Sequence, residues 1–204
     1  MDGSVKSVKA IMFDIGGVLL EVHNKKYYDY LAKTSGRDVA FVEKIVWKDT
    51  LRMERGGISM RQFNEEVARQ LGIRMSQVRW LEFYKSHVEV YRDMLNLVHR
   101  LHRKYKTAYL TNVDLSKYGY TKHILDLKAF DLRLASCNLH TIKPERRIFE
   151  IAIKRLGVAP EEIIFIDNEI RNVREASRLG IRGIYYTGLS SLRKKLALML
   201  RSGV

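Results

Sequence analysis

Short, continuous apolar runs, each ended by polar residues, constrain this chain more than any other feature. Ala10-Ile11-Met12-Phe13 is too short for a helix and has no polar face. Thr107–Leu110, the strand-like Asp131–Ala135, Ile163–Ile166 and Gly183–Tyr186 repeat the pattern. Runs of this length without alternation are the signature of strands buried on both faces. Between them the period changes to that of a helix. Val90–Lys104 places Met94, Leu97, Val98 and Leu101 on one face, and Leu115–Leu127, Glu145–Leu156 and Asn168–Leu179 follow, the last closed by Gly180. A final helix begins near Leu189. Strands alternating with helices predict an α/β fold: a three-layer, Rossmann-like parallel-sheet core.

One segment breaks the alternation. After the first strand, Asn24 to Tyr91 carries helical periodicity and no convincing strand, divided by Gly36, Gly56-Gly57 and Gly72 into about four helices. Ser59 followed by Gln62 fits a capping box opening the helix Met60–Leu71. The expected organisation is a core of residues 1–20 and 92–204 with an all-helical cap, residues 21–91, inserted after the first strand. Tyr27, Tyr28, Tyr30 and Trp47 are expected to pack that cap.

In open α/β sheets the ligand site lies beyond the carboxyl ends of the strands. The residues there are Asp14 after the first strand, Thr111 and Asn112 after Leu110, Lys143 before the helix at Glu145, and Asp167 with Asn168 after Ile166. Two carboxylates, a hydroxyl, an amide and an ammonium suit a divalent, oxygen-seeking cation together with a phosphoryl group.

The stretches Phe13-Asp14-Ile15-Gly16-Gly17-Val18-Leu19, Leu110-Thr111-Asn112, Ile142-Lys143-Pro144 and Phe165-Ile166-Asp167-Asn168, with Asn172-Val173 beyond, resemble in order the motifs of the haloacid dehalogenase superfamily. Residues 24–91 resemble that superfamily's helical cap, and Glu54-Arg55-Gly56-Gly57-Ile58-Ser59 resembles a stretch common in such caps. The resemblance implies a Mg²⁺-dependent phosphatase acting on a small phosphorylated metabolite. Asp14 would be the nucleophile, forming an aspartyl-phosphate. Asp14, Asp167 and the backbone carbonyl of Gly16 would hold Mg²⁺. Thr111, Asn112 and Lys143 would bind the phosphoryl group, with Lys143 also neutralising the nucleophile. Asn168 and Asn172 would support them from behind.

Three residues depart from the pattern. Gly16 stands where most phosphatases of the superfamily carry a second aspartate as general acid and base, a role typically worth about 10²–10⁴ in rate. The Asp-x-Gly form resembles a branch that includes sugar-phosphate phosphatases similar to α-glucose-1-phosphatase. Asn168 replaces a common aspartate, and His140 stands where such loops often carry a small residue. Glu21 and His23, just after the first motif, are candidate substitutes for the missing acid. Two other readings compete: a metal-independent 2-haloacid dehalogenase, and a catalytically degenerate binding protein.

Composition narrows the setting. Lys and Arg number 37 against 23 Asp and Glu, a net charge of +14, which attracts anionic ligands. The basic clusters His99–Lys106 and Arg193-Lys194-Lys195 sit on amphipathic helices, where cations near a C-terminus complement the dipole; nucleic acid is not the expected partner. His99 and His102 have a metal-binding spacing with no third ligand in view. Cys137 is the only cysteine, so no internal disulfide forms. No apolar run approaches a membrane span, and Met1–Lys9 has no signal-peptide core, so a cytoplasmic protein is expected, with oligomerisation open.

Overall fold

The computed structural model describes residues 6–201; part of the polar Met1–Lys9 stretch lies outside them. The elements in chain order are β1 (Ala10–Phe13), β2 (Leu20–Val22), α1 (Asn24–Ser35), α2 (Val39–Glu54), α3 (Met60–Leu71), α4 (Trp80–Ser86), β3 (Val88–Val90), α5 (Arg92–His102), β4 (Lys106–Thr111) and α6 (Leu115–Ile124). They continue with β5 (Leu132–Ala135), α7 (Ser136–Leu139), α8 (Arg146–Leu156), β6 (Ile163–Asp167), α9 (Ile170–Arg178), β7 (Arg182–Tyr185) and α10 (Leu189–Arg201).

Five of the strands form one parallel sheet in the order β5-β4-β1-β6-β7. The apolar runs form strands because both of their faces are covered. Ile11 and Phe13 pack with Met94, Leu97 and Val98 of α5 and Leu192 and Leu196 of α10. Their neighbours Ala10 and Met12 pack on the opposite face with Ile148, Phe149 and Ala152 of α8 and Ala176 of α9. This is the three-layer α/β core that the alternation predicts. From β1 the chain crosses to β4, while from β6 it crosses to β7 on the other side. The connections therefore diverge between β1 and β6, and the crevice at such a switch point is where α/β sheets bind ligands.

α1 to α4 share a core of their own, built from Tyr27, Leu31, Val42, Val46, Phe63, Val67, Leu71 and Trp80. The capping box at Ser59 and Gln62 is present at the start of α3. Two expectations for this segment need correction. It is not purely helical: Val88–Val90 pairs antiparallel with Leu20–Val22, making a two-stranded ribbon that carries the chain out of the core and back. The signal was weak because the ribbon is only three residues long and half-buried. Trp47 does not pack the cap interior. On α2 the buried positions are Val42, Ile45, Val46, Asp49, Thr50 and Met53, and Trp47 lies off that face, 44% exposed. Tyr27 and Tyr28 are buried as expected, and the Tyr27 hydroxyl donates to the Val78 carbonyl at 2.6 Å.

Candidate active site

Asp14 leaves the carboxyl end of β1 with its backbone N–H donating to the Ile166 carbonyl at 2.8 Å, so the tip of β1 is tied to the tip of β6. One carboxylate oxygen, Oδ1, accepts from the Ile15 N–H at 2.7 Å and from Lys143 Nζ at 2.8 Å. The other has no hydrogen bond among the described residues and lines a cleft of about 310 Å³. Burial is the largest influence on the Asp14 carboxyl, pushing it up to about 6 against the opposing charge of Lys143.

Lys143 is buried and reaches both strand tips. Its Nζ also donates to Asp167 Oδ2 at 2.6 Å. The loop that carries it is fixed by Asn112, whose amide nitrogen donates to the Lys143 carbonyl at 2.9 Å while its amide oxygen accepts from the Lys143 N–H at 2.8 Å. Asn112 therefore positions the lysine rather than opening toward a ligand with its whole side chain. Burial opposes the charge of Lys143, but Asp14 and Asp167 outweigh it and hold the ammonium above its ordinary value.

Asp167 is completely buried. It accepts from the Glu169 N–H at 2.7 Å and from Asn172 Nδ2 at 3.0 and 3.2 Å. Thr111 is buried on the cleft wall, its hydroxyl 3.5 Å from the Asn112 carbonyl. Asn168 and Gly16 line the same cleft. A Cβ on Gly17, which sits at φ +73°, would come within 2.2 Å of Asn168 Nδ2, so only glycine lets the first loop lie against that amide. Gly16 differs: a Cβ there would meet nothing within 4 Å. The space for a longer side chain exists and is open.

The donor set suits a hard cation. Lys143 brings the Asp14 and Asp167 carboxylates together, Gly16 follows two residues after Asp14 on the cleft lining, and Asn168 Oδ1 is buried without a hydrogen-bond partner among the described residues. Two carboxylates with carbonyl and water oxygens is the set Mg²⁺ takes. The histidine pair does not make a second metal site. His99 faces Asp126 at 3.3 Å and His102 bonds Thr107 Oγ1 at 2.9 Å, each held by its own partner.

Of the candidate acids, His23 does not reach the cleft. It lies beside Glu89 at 3.7 Å and borders an adjoining aromatic recess with Tyr27, Trp80 and Phe83. Glu21 does line the cleft, but its carboxylate accepts from the Tyr91 hydroxyl. His140 adopts a left-handed backbone at φ +53°, a conformation that side-chain-bearing residues rarely take. Its Nδ1 lies 3.1 Å from the Arg55 carbonyl, joining the core loop to the cap.

Sequence reasoning placed Glu54 only in a cap-like stretch, with no role in the site, and did not single out Tyr84, Lys117 and Thr121; Glu54 and Tyr84 from the cap and Lys117 and Thr121 from α6 form much of the cleft wall. Lys117 is buried with its Nζ 3.5 Å from the centre of the Trp80 ring. Tyr84 and Thr121 hydrogen-bond each other at 2.9 Å across the cap–core boundary. One signal for Glu54 was available: it is the last residue of α2, where the helix dipole disfavours a negative charge.

The haloacid dehalogenase-like hydrolase family model matches residues 8–180, and the chain belongs to that family. Two curated relatives align along nearly all of it. Acyl-CoA dehydrogenase family member 10 of Mus musculus is 28% identical over 98% of this chain, which spans only 20% of that longer protein. D-ribitol-5-phosphate phosphatase of Bacteroides thetaiotaomicron is 23% identical over 96% of this chain and 100% of its own length. A haloacid dehalogenase family enzyme from the same bacterium, solved as a crystal structure, superposes with a TM-score of 0.80 at 21% identity, covering 92% of this chain and 99% of its own. A second crystal of that enzyme contains magnesium and inorganic phosphate and superposes with a TM-score of 0.74. Among the described residues no helix is long and apolar enough to cross a membrane.

Proposed function

We propose that this protein is a Mg²⁺-dependent phosphatase that hydrolyses a small phosphorylated metabolite through an aspartyl-phosphate on Asp14. The observation that carries the reading is the placement of Lys143 Nζ between Asp14, which lines the cleft, at 2.8 Å, and the buried Asp167, at 2.6 Å. One Asp14 oxygen is engaged by Lys143 and the Ile15 N–H, which leaves the other to attack phosphorus. Thr111 and Lys143 would then hold the phosphoryl oxygens, donors set where charge develops. Asp14, Asp167 and the Gly16 carbonyl would hold Mg²⁺, which supplies neutralisation of the phosphoryl charge. Asn112 positions Lys143, and Asn172 orients Asp167.

The cleft sets the substrate class. At about 310 Å³ it is at the small end of ligand sites. Its walls mix Leu20, Val22 and Val113 with Asn24, Glu54, Tyr84, Lys117 and Thr121. Polar groups facing one small cavity suit a hydroxylated leaving group such as a sugar or alditol. The relative that acts on D-ribitol 5-phosphate supports this choice. The test is phosphate release from a panel of sugar and alditol phosphates and p-nitrophenyl phosphate, with Mg²⁺ and with EDTA, beside Asp14→Asn. Turnover that needs both Mg²⁺ and Asp14 is expected. Absence of phosphate release across the panel, or chloride release from 2-chloropropionate without metal, would overturn the reading.

A further inference from the structure

Glu21, Glu54 and Glu169 line the cleft with Asp14, and the charge of Asp114 acts on Glu54 from α6's cap; three of these four carboxyls are already engaged. Glu21 accepts from Tyr91. Asp114 caps α6 by accepting from the Ser116 and Lys117 N–H groups at 3.0 Å, and it also accepts from Trp80 Nε1 at 3.2 Å. Glu169 sits at the rim, 3.7 Å from Arg171. The fourth, Glu54, lines the same cavity as Asp14 and Gly16, and its carboxyl makes no hydrogen bond or ion pair among the described residues.

The backbone around Glu54 is fastened where its side chain is free. Ser136, fully buried, donates through Oγ to the Glu54 carbonyl at 2.7 Å and accepts from the Val113 N–H at 3.0 Å, linking the end of α2 to the loop after β4. Arg55 pairs with Glu145, and the Arg55 carbonyl meets His140. Gly56, at φ +70°, lies so close that a Cβ would come within 2.7 Å of the Cys137 carbonyl. The Glu54-Arg55-Gly56 turn is thus a latch that sets one cap carboxyl over the core.

We infer that Glu54 is the general acid and base of the reaction, a cap-borne catalytic residue taking the place that Gly16 leaves empty beside Asp14. The inference rests on the phosphatase reading above. Asp14 attacks phosphorus, the bond from phosphorus to the leaving oxygen breaks, and the Glu54 carboxyl gives its proton to that oxygen. The resulting carboxylate then takes a proton from water as the water oxygen attacks the aspartyl-phosphate. The bond to Asp14 breaks, inorganic phosphate leaves, and Glu54 is protonated again.

The surroundings suit both halves of this cycle. The charged and titratable groups facing Glu54 are Lys117 and Asp114 from α6 and its cap, Lys143 and Asp14 from the core, and Tyr28 from α1. Burial pushes the Glu54 carboxyl up to about 7; Lys117 and Lys143 oppose the shift, and Asp114 and Asp14 add to it. A donor and acceptor near neutrality is what general acid–base catalysis needs.

The test compares wild type, Glu54→Gln and Glu54→Asp with Mg²⁺ on glycerol 2-phosphate, whose alkoxide leaves poorly, and on p-nitrophenyl phosphate, whose phenolate leaves without help. For Glu54→Gln we expect turnover of glycerol 2-phosphate to fall about 10²–10⁴-fold with KM little changed. With p-nitrophenyl phosphate the same variant should release one burst equivalent of nitrophenolate and then slow, because only the second step needs the base. Glu54→Asp should recover part of the loss, and Gly16→Asp added to Glu54→Gln should recover more. An active wild type whose turnover and burst are unchanged in Glu54→Gln overturns the inference and leaves the phosphatase reading standing. So does an equal loss on both substrates through KM. A wild type inactive on every phosphate ester overturns both.

Discussion

Lys143 and Lys117 are both buried, Lys117 on the cleft wall and Lys143 against Asp14, and their ammonium groups are shifted in opposite directions. Lys143 donates to Asp14 and Asp167 at 2.8 and 2.6 Å, and its ammonium is held above the ordinary lysine value. Lys117 has no carboxylate within ion-pair distance among the described residues; its ammonium lies over Trp80, and burial pulls it down to about 8 despite the charges of Asp114 and Glu54. The carboxyls divide the same way. Asp167 accepts from donors on three residues, whereas the Glu54 carboxyl has none among the described residues and is pushed up to about 7. The floor of the cleft is thus a fixed, charged network, and its cap-side wall holds groups poised to exchange protons. Fixed charge suits binding a phosphoryl group, and labile charge suits moving a proton.

That contrast can be broken by substitution. Lys143→Met removes the cation shared by two buried carboxylates, and stability in EDTA is expected to fall by about 3–5 kcal/mol, read by urea denaturation. A smaller loss would show that the network is less dry than its burial implies. Asn112→Ala leaves the Lys143 backbone without both of its clamps, at an expected cost of about 1–3 kcal/mol together with weaker turnover from a misplaced ammonium. Lys117→Met should behave unlike Lys143→Met, changing stability by less than about 1.5 kcal/mol or raising it, because the ammonium there has little to compensate its desolvation. A loss as large as that of Lys143→Met would erase the distinction between floor and wall.

A further effect is expected on the pH dependence of stability. The Glu54 carboxyl is raised from 4.5 to about 7 in the folded chain. Between those values the folded state keeps a proton that the unfolded state loses, so this group's contribution is full below about 4.5 and is lost as pH rises through about 7. Glu54→Gln removes the dependence. Its midpoint of thermal unfolding, relative to wild type, should therefore be higher at pH 8 than at pH 4.5. An unchanged difference would mean that the carboxyl titrates as if in water.

The floor was legible in the sequence and the wall was not. Asp14, Thr111 and Asp167 each stand at the end of an apolar run, and strand ends of a parallel sheet converge by topology alone, while Lys143 was legible from its place before the helix that follows Pro144. Asn112 was read as touching the phosphoryl group; its two bonds to the Lys143 backbone could not be inferred without the fold of that loop. The wall depends on how the cap docks, which depends on single contacts such as Ser136 on Glu54 and His140 on Arg55, more than eighty residues apart in sequence. No periodicity encodes such contacts. Glu21 and His23 were considered as acids because they follow the first motif, yet the ribbon of β2 and β3 turns His23 away from the cleft and gives Glu21 to Tyr91.

The central claim is that Asp14 takes up the phosphoryl group. It is tested most directly by acid-quenching the protein during turnover of p-nitrophenyl phosphate with Mg²⁺ and locating added phosphoryl mass by peptide mapping. The account predicts one phosphoryl group on the peptide containing Asp14, absent in Asp14→Asn and enriched in Glu54→Gln. Sustained turnover by Asp14→Asn, or a phosphoryl group on any other residue, would contradict it.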